Sequence, residues 1–329
     1  MTSSSTEARI GVVGATGAVG PVTLELLRER GYTNVRAFAS ARSAGGRVGG
    51  LVVEEATPAA LGRGDLDVCL FSVGTAASRE LVPVAVEAGA VCIDKSSAFR
   101  LTDGVPLVVP EVNGARALEH QGIVANPNCS TIPLTMVLAP LHEAAGLRRV
   151  RVATYQSASG AGSESMDRLL VETPGEHDLR MDWSLEGDEL DEEAKIRDET
   201  RKILELPDLP LMASCVRVPV LVGHAEAVWV ETEDPLSPER AQHVLAGSSG
   251  LRLETFPTPG KAAQTEDVLV GRIRRDPTVE NGLALFLACD NLVKGAALNA
   301  VQIAELLLAN SNGRTEVRPQ AVARRQASA

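Results

Sequence analysis

Short apolar runs alternate with amphipathic stretches through the first third of the chain. Five runs have the length and β-branched content of buried strands: Ile10–Val13, Val35–Ala39, 68–73, 91–93 and 107–109. Several of the stretches between them repeat apolar residues at helical spacing. Strands that alternate with helices in this way predict a parallel sheet covered by helices.

A different pattern begins after residue 129. A helix is predicted from Cys129 to Ala145, because Gly146 suits the position that follows a helix C-terminus. A second helix is predicted at 192–204, and a third starts at Ser237, a residue type that favours the N-cap. Four apolar runs predict strands, at 150–156, 216–222, 225–231 and 284–289. Together these elements predict an α+β region with a mainly antiparallel sheet.

The strongly periodic stretch 295–308 predicts a helix that returns to the first region. We therefore expect a first domain of residues 1–127, completed by residues 296–329, and a second domain of residues 128–295. The last residues of the chain are polar and have nothing to bury, so we expect a disordered tail.

Composition excludes several classes of partner. The net charge of −11 argues against nucleic acid, although a site for a small anion needs only a few cations. No apolar run approaches the roughly 20 residues that cross a bilayer, and the first residues lack the regions of a signal peptide. The five cysteines have no paired or metal-binding spacing. We expect a cytoplasmic protein with no membrane partner and no metal.

A glycine-rich loop follows the first predicted strand and opens a helix. Such a loop can bring backbone N–H groups against a pyrophosphate at the helix N-terminus. Glycine spacing alone is a weak signal, because glycines also make turns without ligands, but the strand–turn–helix context strengthens it. The predicted cofactor contacts are Gly14, Ala15, Thr16, Gly17, Ala18 and Val19. The first domain is therefore expected to be of the Rossmann type.

The end of the second strand predicts which dinucleotide binds. An NAD site usually has an acidic residue there for the ribose hydroxyls, but this chain has Ser40, Arg42 and Ser43. An arginine with two hydroxyls would hold a 2′-phosphate, so NADP is predicted. An ordinary surface turn is the alternative. Ser72 and Gly74, after the third strand, are expected to line the same crevice.

Cys129 stands where a loop is predicted to become a helix. Unpaired N–H groups and the helix dipole are expected to favour its thiolate, the reactive form. The other four cysteines lie in or beside apolar runs and are expected to be buried and inert: Cys69, Cys92, Cys215 and Cys289. A nucleophilic thiol beside a nicotinamide site indicates chemistry that joins an aldehyde to the acyl level through a thioester.

Such chemistry needs an acid/base group, and His224 is the candidate. It follows Gly223 between two apolar runs, where an imidazole is unexpected unless it has a partner. A satisfied core histidine is the alternative. The remaining histidines lie in polar, helical or acidic stretches and are expected to be solvated: His120, His142, His177 and His243.

Eleven short segments, in order along the chain, carry a likeness to a known family. They are 14–20 (GATGAVG), 40–45 (SARSAG), 94–100 (DKSSAFR), 109–113 (VPEVN), 126–131 (NPNCST), 155–162 (YQSASGAG), 199–203 (ETRKI), 217–220 (RVPV), 223–224 (GH), 270–274 (VGRIR) and 290–302 (DNLVKGAALNAVQ). On these segments the chain resembles the aspartate-β-semialdehyde dehydrogenase family over nearly its whole ordered length.

The resemblance implies NADPH-dependent reduction of L-aspartyl-4-phosphate to L-aspartate-4-semialdehyde with release of phosphate, a step toward lysine, methionine and threonine. It implies that Cys129 attacks the acyl phosphate and that Asn128 places the reacting carbonyl. Gln156 would orient substrate and thiol, and His224 would be the acid/base catalyst. The second domain is then a catalytic and dimerisation domain, and a homodimer is expected.

The resemblance also implies the substrate and cofactor contacts. Arg217 would bind the α-carboxylate and Glu192 the ammonium, while Lys195 and Arg100 would hold the phosphate. Further cofactor contacts would come from Ser159, Gly160, Asn291 and Gln302.

The chain departs from the family pattern at 173–191, which is short and acidic, so a specialised relative acting on a modified substrate stays open. Two other functions also stay open. One is an enzyme like N-acetyl-γ-glutamyl-phosphate reductase, which also reacts through a cysteine thioester but whose substrate has no free amine. The other is a non-catalytic, NADP-binding regulatory protein, against which the joint presence of Cys129, Gln156, Arg217 and His224 argues.

Overall fold

The computed structural model describes residues 7–171 and 183–311. The expected tail at 313–329, His177 and most of the acidic segment lie outside the described residues. The helices are α1 Gly20–Glu29, α2 Pro58–Leu61, α3 Thr75–Glu87, α4 Pro110–Asn113, α5 Thr131–Ala145, α6 Ser163–Val171, α7 Asp191–Leu204, α8 Pro238–Ala246, α9 Pro259–Ala262 and α10 Leu298–Ser311. None of them is long and apolar enough to cross a membrane.

The strands are β1 Ile10–Val13, β2 Val35–Ala39, β3 Arg47–Val48, β4 Leu51–Glu55, β5 Val68–Phe71, β6 Val91–Asp94, β7 Ile123–Ala125, β8 Leu147–Gln156, β9 Leu185–Glu186, β10 Glu189–Leu190, β11 Leu211–Arg217, β12 His224–Thr232, β13 Leu251–Leu253, β14 Val268–Asp276 and β15 Gly282–Cys289. Short 3₁₀ segments at Gly114–Glu119 and Ala158–Ala161 and a π turn at Val293–Ala297 complete the described chain.

Seven strands form the first sheet, in the order β3-β4-β2-β1-β5-β6-β7. Every neighbouring pair is parallel except the β3–β4 hairpin. The strand order reverses between β1 and β5, which is where open α/β sheets bind ligands at the carboxyl ends of their strands. The predicted parallel sheet is confirmed. The loops that follow β1, β2 and β5 lie together at the carboxyl ends of its strands.

One predicted strand of this sheet is wrong. Residues 107–109 make a single bridge, from Leu107 to Ala125, before Pro110 starts α4. The strand that pairs with β6 is β7. The run 107–109 is nonetheless buried, so its apolar character reflects packing and not a place in the ladder.

Six strands form the second sheet, in the order β11-β8-β12-β15-β14-β13. The three central pairings are antiparallel, while the outer pairs β11–β8 and β13–β14 are parallel. The expected run 216–222 is corrected here, because the strand is Leu211–Arg217 and residues 218–222 leave the ladder. Pro219 lacks the N–H that a ladder needs, and the carbonyls of Val220 and Leu221 instead accept from Ala158 and Ser159.

The helices predicted after residue 129 are present in the structure. α5 ends where expected, at Gly146 with a φ of 63°, and most of its side chains are buried. Ser237 caps α8 by accepting from the N–H of Arg240, as predicted. α10 packs its apolar side chains, among them Leu298 and Val301, into the core of the first sheet beside Ile10 and Leu27.

Candidate active site

Cys129 lies between the end of β7 and the start of α5, one residue before the Ser130 N-cap position. Its Sγ atom is 3.2 Å from Nε2 of His224, the first residue of β12. The two residues are 95 positions apart in sequence. The structure therefore brings the predicted nucleophile and the predicted acid/base group into direct contact.

Strand register puts three more side chains at the same level. β11 and β8 pair Arg217 with Gln156, and the next residue of β8, Ser157, contacts His224. All four of these residues are buried. The end of the second sheet thus presents a row of polar groups to Cys129.

Glu192, in the first turn of α7, connects this row to the cysteine turn. Its Oε1 atom accepts from Nδ2 of Asn128 at 2.9 Å and from Nε2 of Gln156 at 3.1 Å. Lys195 follows one turn later and lies 3.6 Å from Glu192, although its shorter contact is with Asp191 at 2.7 Å. The predicted Glu192 and Lys195 pair therefore does face the site, as their helical spacing required.

Glu199 contacts two of the predicted site residues, although it was not itself predicted as a site residue. Its Oε1 atom pairs with Arg100 at 2.8 Å, and its Oε2 atom accepts from the backbone N–H of Asn128 at 2.7 Å. The remaining hydrogen bonds of the Arg100 guanidinium go to the carbonyls of Asn126 and Lys95. The signal that could have found Glu199 is its spacing of seven from Glu192, which puts both carboxylates on one face of α7.

The expectation of a resting thiolate is wrong. Burial of the thiol, and next the nearby Glu192 carboxylate, raise the pKa of Cys129 to about 12, against smaller opposing effects of Arg100 and Arg217. Two N–H groups of the turn have other acceptors, since Asn128 donates to Glu199 and Ser130 donates to Oδ1 of Asn128 at 2.8 Å. The backbone N–H of Cys129 itself lowers the pKa of the thiol, but by less than burial raises it. The raised pKa of Cys129 favours the neutral thiol at neutral pH before substrate binds.

His224 is fully buried and has a partner on each ring nitrogen. Nδ1 accepts from the backbone N–H of Ser157 at 3.1 Å, while Nε2 faces Cys129. Burial, and next the Arg217 guanidinium, lower the pKa of His224 to about 3, against a smaller opposing effect of the Gly223 backbone. The lowered pKa favours the neutral imidazole at neutral pH.

Arg217 is held by its surroundings. Its Nη1 atom donates to the carbonyl of Ser157 at 2.9 Å, and the guanidinium carbon lies 4.7 Å from the ring centre of Trp183. Gly160 packs against both Arg217 and His224, because a Cβ there would lie 2.8 Å from Nη1 and 3.0 Å from Cε1. Only glycine leaves these two side chains where they are.

The glycine loop after β1 has the shape that a dinucleotide needs. Gly14 has a φ of 89°, and a Cβ on it would meet the carbonyl oxygen of Ser72 at 2.2 Å, so the ends of β1 and β5 are in contact. Thr16 donates to the hydroxyl of Ser43 at 3.2 Å, which joins this loop to the turn after β2. Arg42 is exposed on that turn. The predicted cofactor residues of the first domain therefore share one edge.

Two residues expected at the cofactor have other partners here. Gln302 exchanges hydrogen bonds with Glu111 and the buried Lys294. Oδ1 of Asn291 accepts from Ser157, Ser159 and the N–H of Gly223. The turn that begins at Asn291 does approach the thiol, because a Cβ on Gly295 would lie 3.3 Å from the Cβ of Cys129.

The four cysteines other than Cys129 are buried, as predicted.

Comparison with known proteins agrees with this arrangement. Residues 9–120 match the family model described as semialdehyde dehydrogenase, NAD binding domain, and residues 138–294 match semialdehyde dehydrogenase, dimerisation domain. The chain is 44% identical to the aspartate-semialdehyde dehydrogenase of Streptomyces akiyoshiensis, over 93% of this chain and 100% of that protein. The chain belongs to the aspartate-semialdehyde dehydrogenase family. Members of this amino-acid biosynthesis family are oxidoreductases, and this one has an NAD(P)-binding domain.

Other aspartate-semialdehyde dehydrogenases give the same result. The Bacillus subtilis protein is 40% identical over 91% of this chain and 96% of its own length. The Vibrio cholerae aspartate-semialdehyde dehydrogenase II, solved in complex with ASA, superposes with a TM-score of 0.87 at 38% identity, covering 92% of this chain and 99% of that chain. The Candida albicans enzyme, solved with NADP, gives a TM-score of 0.74 at 25% identity, with 93% and 99% covered.

Proposed function

We propose that this member of the aspartate-semialdehyde dehydrogenase family reduces L-aspartyl-4-phosphate to L-aspartate-4-semialdehyde with NADPH, through a thioester on Cys129. The observation that carries the proposal is the 3.2 Å contact between Sγ of Cys129 and Nε2 of His224. Charged side chains that can bind a charged substrate surround this contact. The Vibrio cholerae relative in complex with ASA supports the choice of substrate.

The thioester step uses Cys129 as nucleophile. The thiol proton passes to Nε2 of His224, 3.2 Å away, as the sulfur bonds to the acyl carbon. The bond from that carbon to the phosphate oxygen breaks, so inorganic phosphate is released. The nicotinamide cofactor, when bound, supplies the hydride that reduces the thioester. The amides of Asn128 and Gln156, which Glu192 orients, place the reacting carbonyl. The C–S bond then breaks to release the aldehyde, and the proton held by His224 returns to the sulfur.

Substrate charges match the groups around the thiol. Arg217 offers a planar fork to the α-carboxylate, while Arg100 and Lys195 hold the phosphate. Glu192 receives the α-ammonium. Because the Glu192 carboxylate is one cause of the raised pKa of Cys129, a bound ammonium that neutralises this charge lowers that pKa. Substrate binding thereby activates the nucleophile.

NADP is the cofactor we propose. The contact between Thr16 and Ser43 places the turn after β2 against the glycine loop, where the adenosine ribose of a dinucleotide lies. Arg42 and the hydroxyls of Ser40 and Ser43 then supply the donors for a 2′-phosphate. The Candida albicans relative solved with NADP supports this choice.

We also propose a homodimer, built through the open face of the six-stranded sheet. Four large apolar side chains are exposed on the outward positions of its strands: Tyr155, Met212, Val216 and Trp229. Strand register sets Val216 beside Tyr155, and Met212 and Trp229 on either side of Arg151. Exposed clusters of large apolar side chains often mark protein interfaces. The match of residues 138–294 to a dimerisation domain supports this assignment.

We further propose that residues 1–127 with 296–329 form one domain and that residues 128–295 form the other. A cytoplasmic location is also proposed.

An assay in the oxidative direction tests the proposed function. The purified protein is supplied with aspartate semialdehyde, NADP and phosphate, each omitted in turn, while NADPH absorbance is followed. Product is expected only with all three, and Cys129→Ala should abolish it while NADP affinity stays near that of wild type. Faster turnover of N-acetylglutamate semialdehyde would contradict the substrate, and NADP binding without any turnover would favour a regulatory protein.

A further inference from the structure

Lys95 differs from the other lysines of the chain in what its ammonium contacts. Its Nζ atom donates to the hydroxyl of Thr23 at the long distance of 3.4 Å. Within the described ranges, no carboxylate forms an ion pair with it. The other lysines each donate to a carboxylate or to a backbone carbonyl at 2.9 Å or less: Lys195, Lys202, Lys261 and Lys294. Lys95 is therefore the lysine whose ammonium has the weakest partner.

The neighbouring acid does not neutralise this charge by direct contact. Asp94 instead accepts from Ser78 of α3 at 2.7 Å and from Ser96 at 2.6 Å, whereas the Lys95 side chain extends toward α1. Burial lowers the pKa of Lys95 to about 8, against a smaller opposing effect of Asp94, so the ammonium stays mainly charged at neutral pH. Withdrawing such a charge from water without a counter-charge costs free energy, which a bound anion would recover.

Lys95 lies at the edge of the first sheet that carries the glycine loop. It follows β6 directly, and its backbone N–H donates to the carbonyl of Phe71, the last residue of β5. Thr23 is a buried residue in the first turn of α1, the helix that the glycine loop begins. The Thr23 hydroxyl donates its proton to the carbonyl of Val19, a predicted cofactor contact, at 2.9 Å, and so accepts from Lys95. The ammonium is thus joined to the helix that is expected to receive the dinucleotide.

A phosphate group is the anion that this position suits. The N–H groups of a glycine loop and the start of its helix favour a pyrophosphate, and an ammonium at the same edge adds a full positive charge. The lysine stem is flexible, and Lys95 is partly exposed, so the ammonium can exchange its weak contact with Thr23 for a ligand. We propose that Lys95 is a dinucleotide-binding residue whose ammonium pairs with the pyrophosphate of the cofactor. The assignment rests on the proposed NADP site.

The substrate phosphate is the other source of such an anion. Arg100, which we expect to hold that phosphate, donates to the backbone carbonyl of Lys95. This contact involves the main chain, while the Lys95 side chain extends toward Thr23 on α1. The direction of the side chain therefore favours the cofactor over the substrate.

Titration calorimetry of full-length Lys95→Met with NADP, NAD and ADP-ribose tests the assignment without turnover. Each of these ligands contains the pyrophosphate, so each should bind at least about tenfold more weakly than to wild type, and by a similar factor. Unchanged binding of ADP-ribose, which lacks the nicotinamide, would overturn a pyrophosphate contact. If wild type bound NADP but Lys95→Met bound it equally well, the role of Lys95 would be refuted and the proposed function would stand. If wild type itself bound none of the three, the proposed function would fail.

The melting temperature separates binding from a structural role. Because Lys95→Met removes a poorly paired ammonium, the cofactor-free variant should melt at the temperature of wild type or above it. The increase in melting temperature that a fixed concentration of NADP produces should be smaller than in wild type. A cofactor-free variant that melts below wild type would indicate a structural lysine and overturn the proposal.

Two further measurements identify the anion and exclude a general effect of charge. In the oxidative assay, the KM for inorganic phosphate should be unchanged in Lys95→Met. A higher KM for phosphate with normal dinucleotide affinity would assign Lys95 to the substrate phosphate and contradict the proposal. Lys261→Met is the matched control, because it removes the same charge from an exposed pair with Glu254 in the second sheet's surroundings. It should bind all three ligands as wild type does, and a loss equal to that of Lys95→Met would refute a local contact.

Discussion

The carboxylate of Glu199 accepts a hydrogen bond from the backbone N–H of Asn128 at 2.7 Å, one residue before the nucleophile. Its other oxygen pairs with Arg100 at 2.8 Å, and the side chain is almost wholly buried. One carboxylate thus fixes the cysteine turn and the arginine that we expect to bind phosphate. Glu192, on the same helix, accepts a hydrogen bond from the side chain of Asn128. Two carboxylates of α7 therefore bind Asn128, one at its backbone and one at its side chain.

Glu199→Gln should therefore affect both stability and reactivity. The amide cannot satisfy Arg100 and the N–H of Asn128 as a carboxylate does, and it leaves a buried guanidinium without its counter-charge. We expect a loss of about 3–5 kcal/mol in the free energy of unfolding. The rate at which iodoacetamide alkylates Cys129 should also change, since the turn is less well fixed. Denaturant unfolding and a timed alkylation assay measure the two effects.

Glu205→Gln is the matched control for this prediction. Glu205 follows the same helix but forms an exposed ion pair with Arg116, and exposed pairs contribute little. It should leave unfolding and alkylation close to those of wild type. An Arg100→Met substitution added to Glu199→Gln should recover part of the lost stability, because it removes the uncompensated charge. If Glu199→Gln behaved like Glu205→Gln, the positioning role would be untenable.

Glu192→Gln should lower the pKa of Cys129. The carboxylate raises that pKa because a nearby negative charge disfavours the thiolate, so its removal shifts the titration to lower pH. Burial is the larger cause and persists, so the pKa should stay above its ordinary value. The rate of Cys129 alkylation increases with pH as the thiol ionises. In the variant this increase should begin at a lower pH than in wild type. A curve that is unchanged, or that moves to higher pH, would disprove this electrostatic account.

Gly160→Ala should reduce turnover through steric displacement. The new methyl group would lie 2.8 Å from Nη1 of Arg217 and 3.0 Å from the His224 ring, so one of these side chains must move. We expect kcat/KM to fall about 100-fold, as misplacement of a catalytic group by about 1 Å can cause. Gly260→Ala, where a Cβ also has open space and which lies outside the predicted site, is the comparison variant. Nearly normal kinetics in Gly160→Ala would contradict the tight packing around His224.

Arg42→Ala should weaken NADP binding far more than NAD binding. Only NADP carries the extra phosphate, and the Arg42 side chain lies on the turn that Ser43 joins to the glycine loop. Dissociation constants for both cofactors, measured by titration of each into wild type and variant, decide the matter. Equal losses for the two cofactors would indicate that Arg42 does not select between them.

Trp229→Glu combined with Met212→Glu should separate the proposed homodimer. Both side chains are exposed on the outward face of the second sheet, and buried carboxylates would oppose association. Sedimentation velocity should show a dimer for wild type and a monomer for the double variant. Phe256→Glu, also exposed but after β13, serves as the control. A dimer that survives the double substitution would place the interface elsewhere.

Local sequence signals predicted much of the fold. The glycine loop, the helix after Cys129 and its end at Gly146 depend on residues within a few positions of each other, so short patterns contain them. The run 107–109 shows the limit of such signals. It is as apolar as a strand and is buried, but Pro110 ends it and β7 takes the position beside β6. Apolar character reports burial and does not by itself report a hydrogen-bonded partner.

The sequence by itself determined which residue types are available: one thiol at a helix start, one histidine between apolar runs, and a turn with Arg42 and no acid. Only the tertiary structure decided their states. The pKa of the Cys129 thiol is raised because the thiol is buried near Glu192, which lies 63 positions along the chain. Nδ1 of His224 has a hydrogen-bond donor because the fold brings Ser157 to it from 67 positions away. Desolvation and hydrogen-bond direction depend on which distant groups meet in space, and no local pattern contains that information.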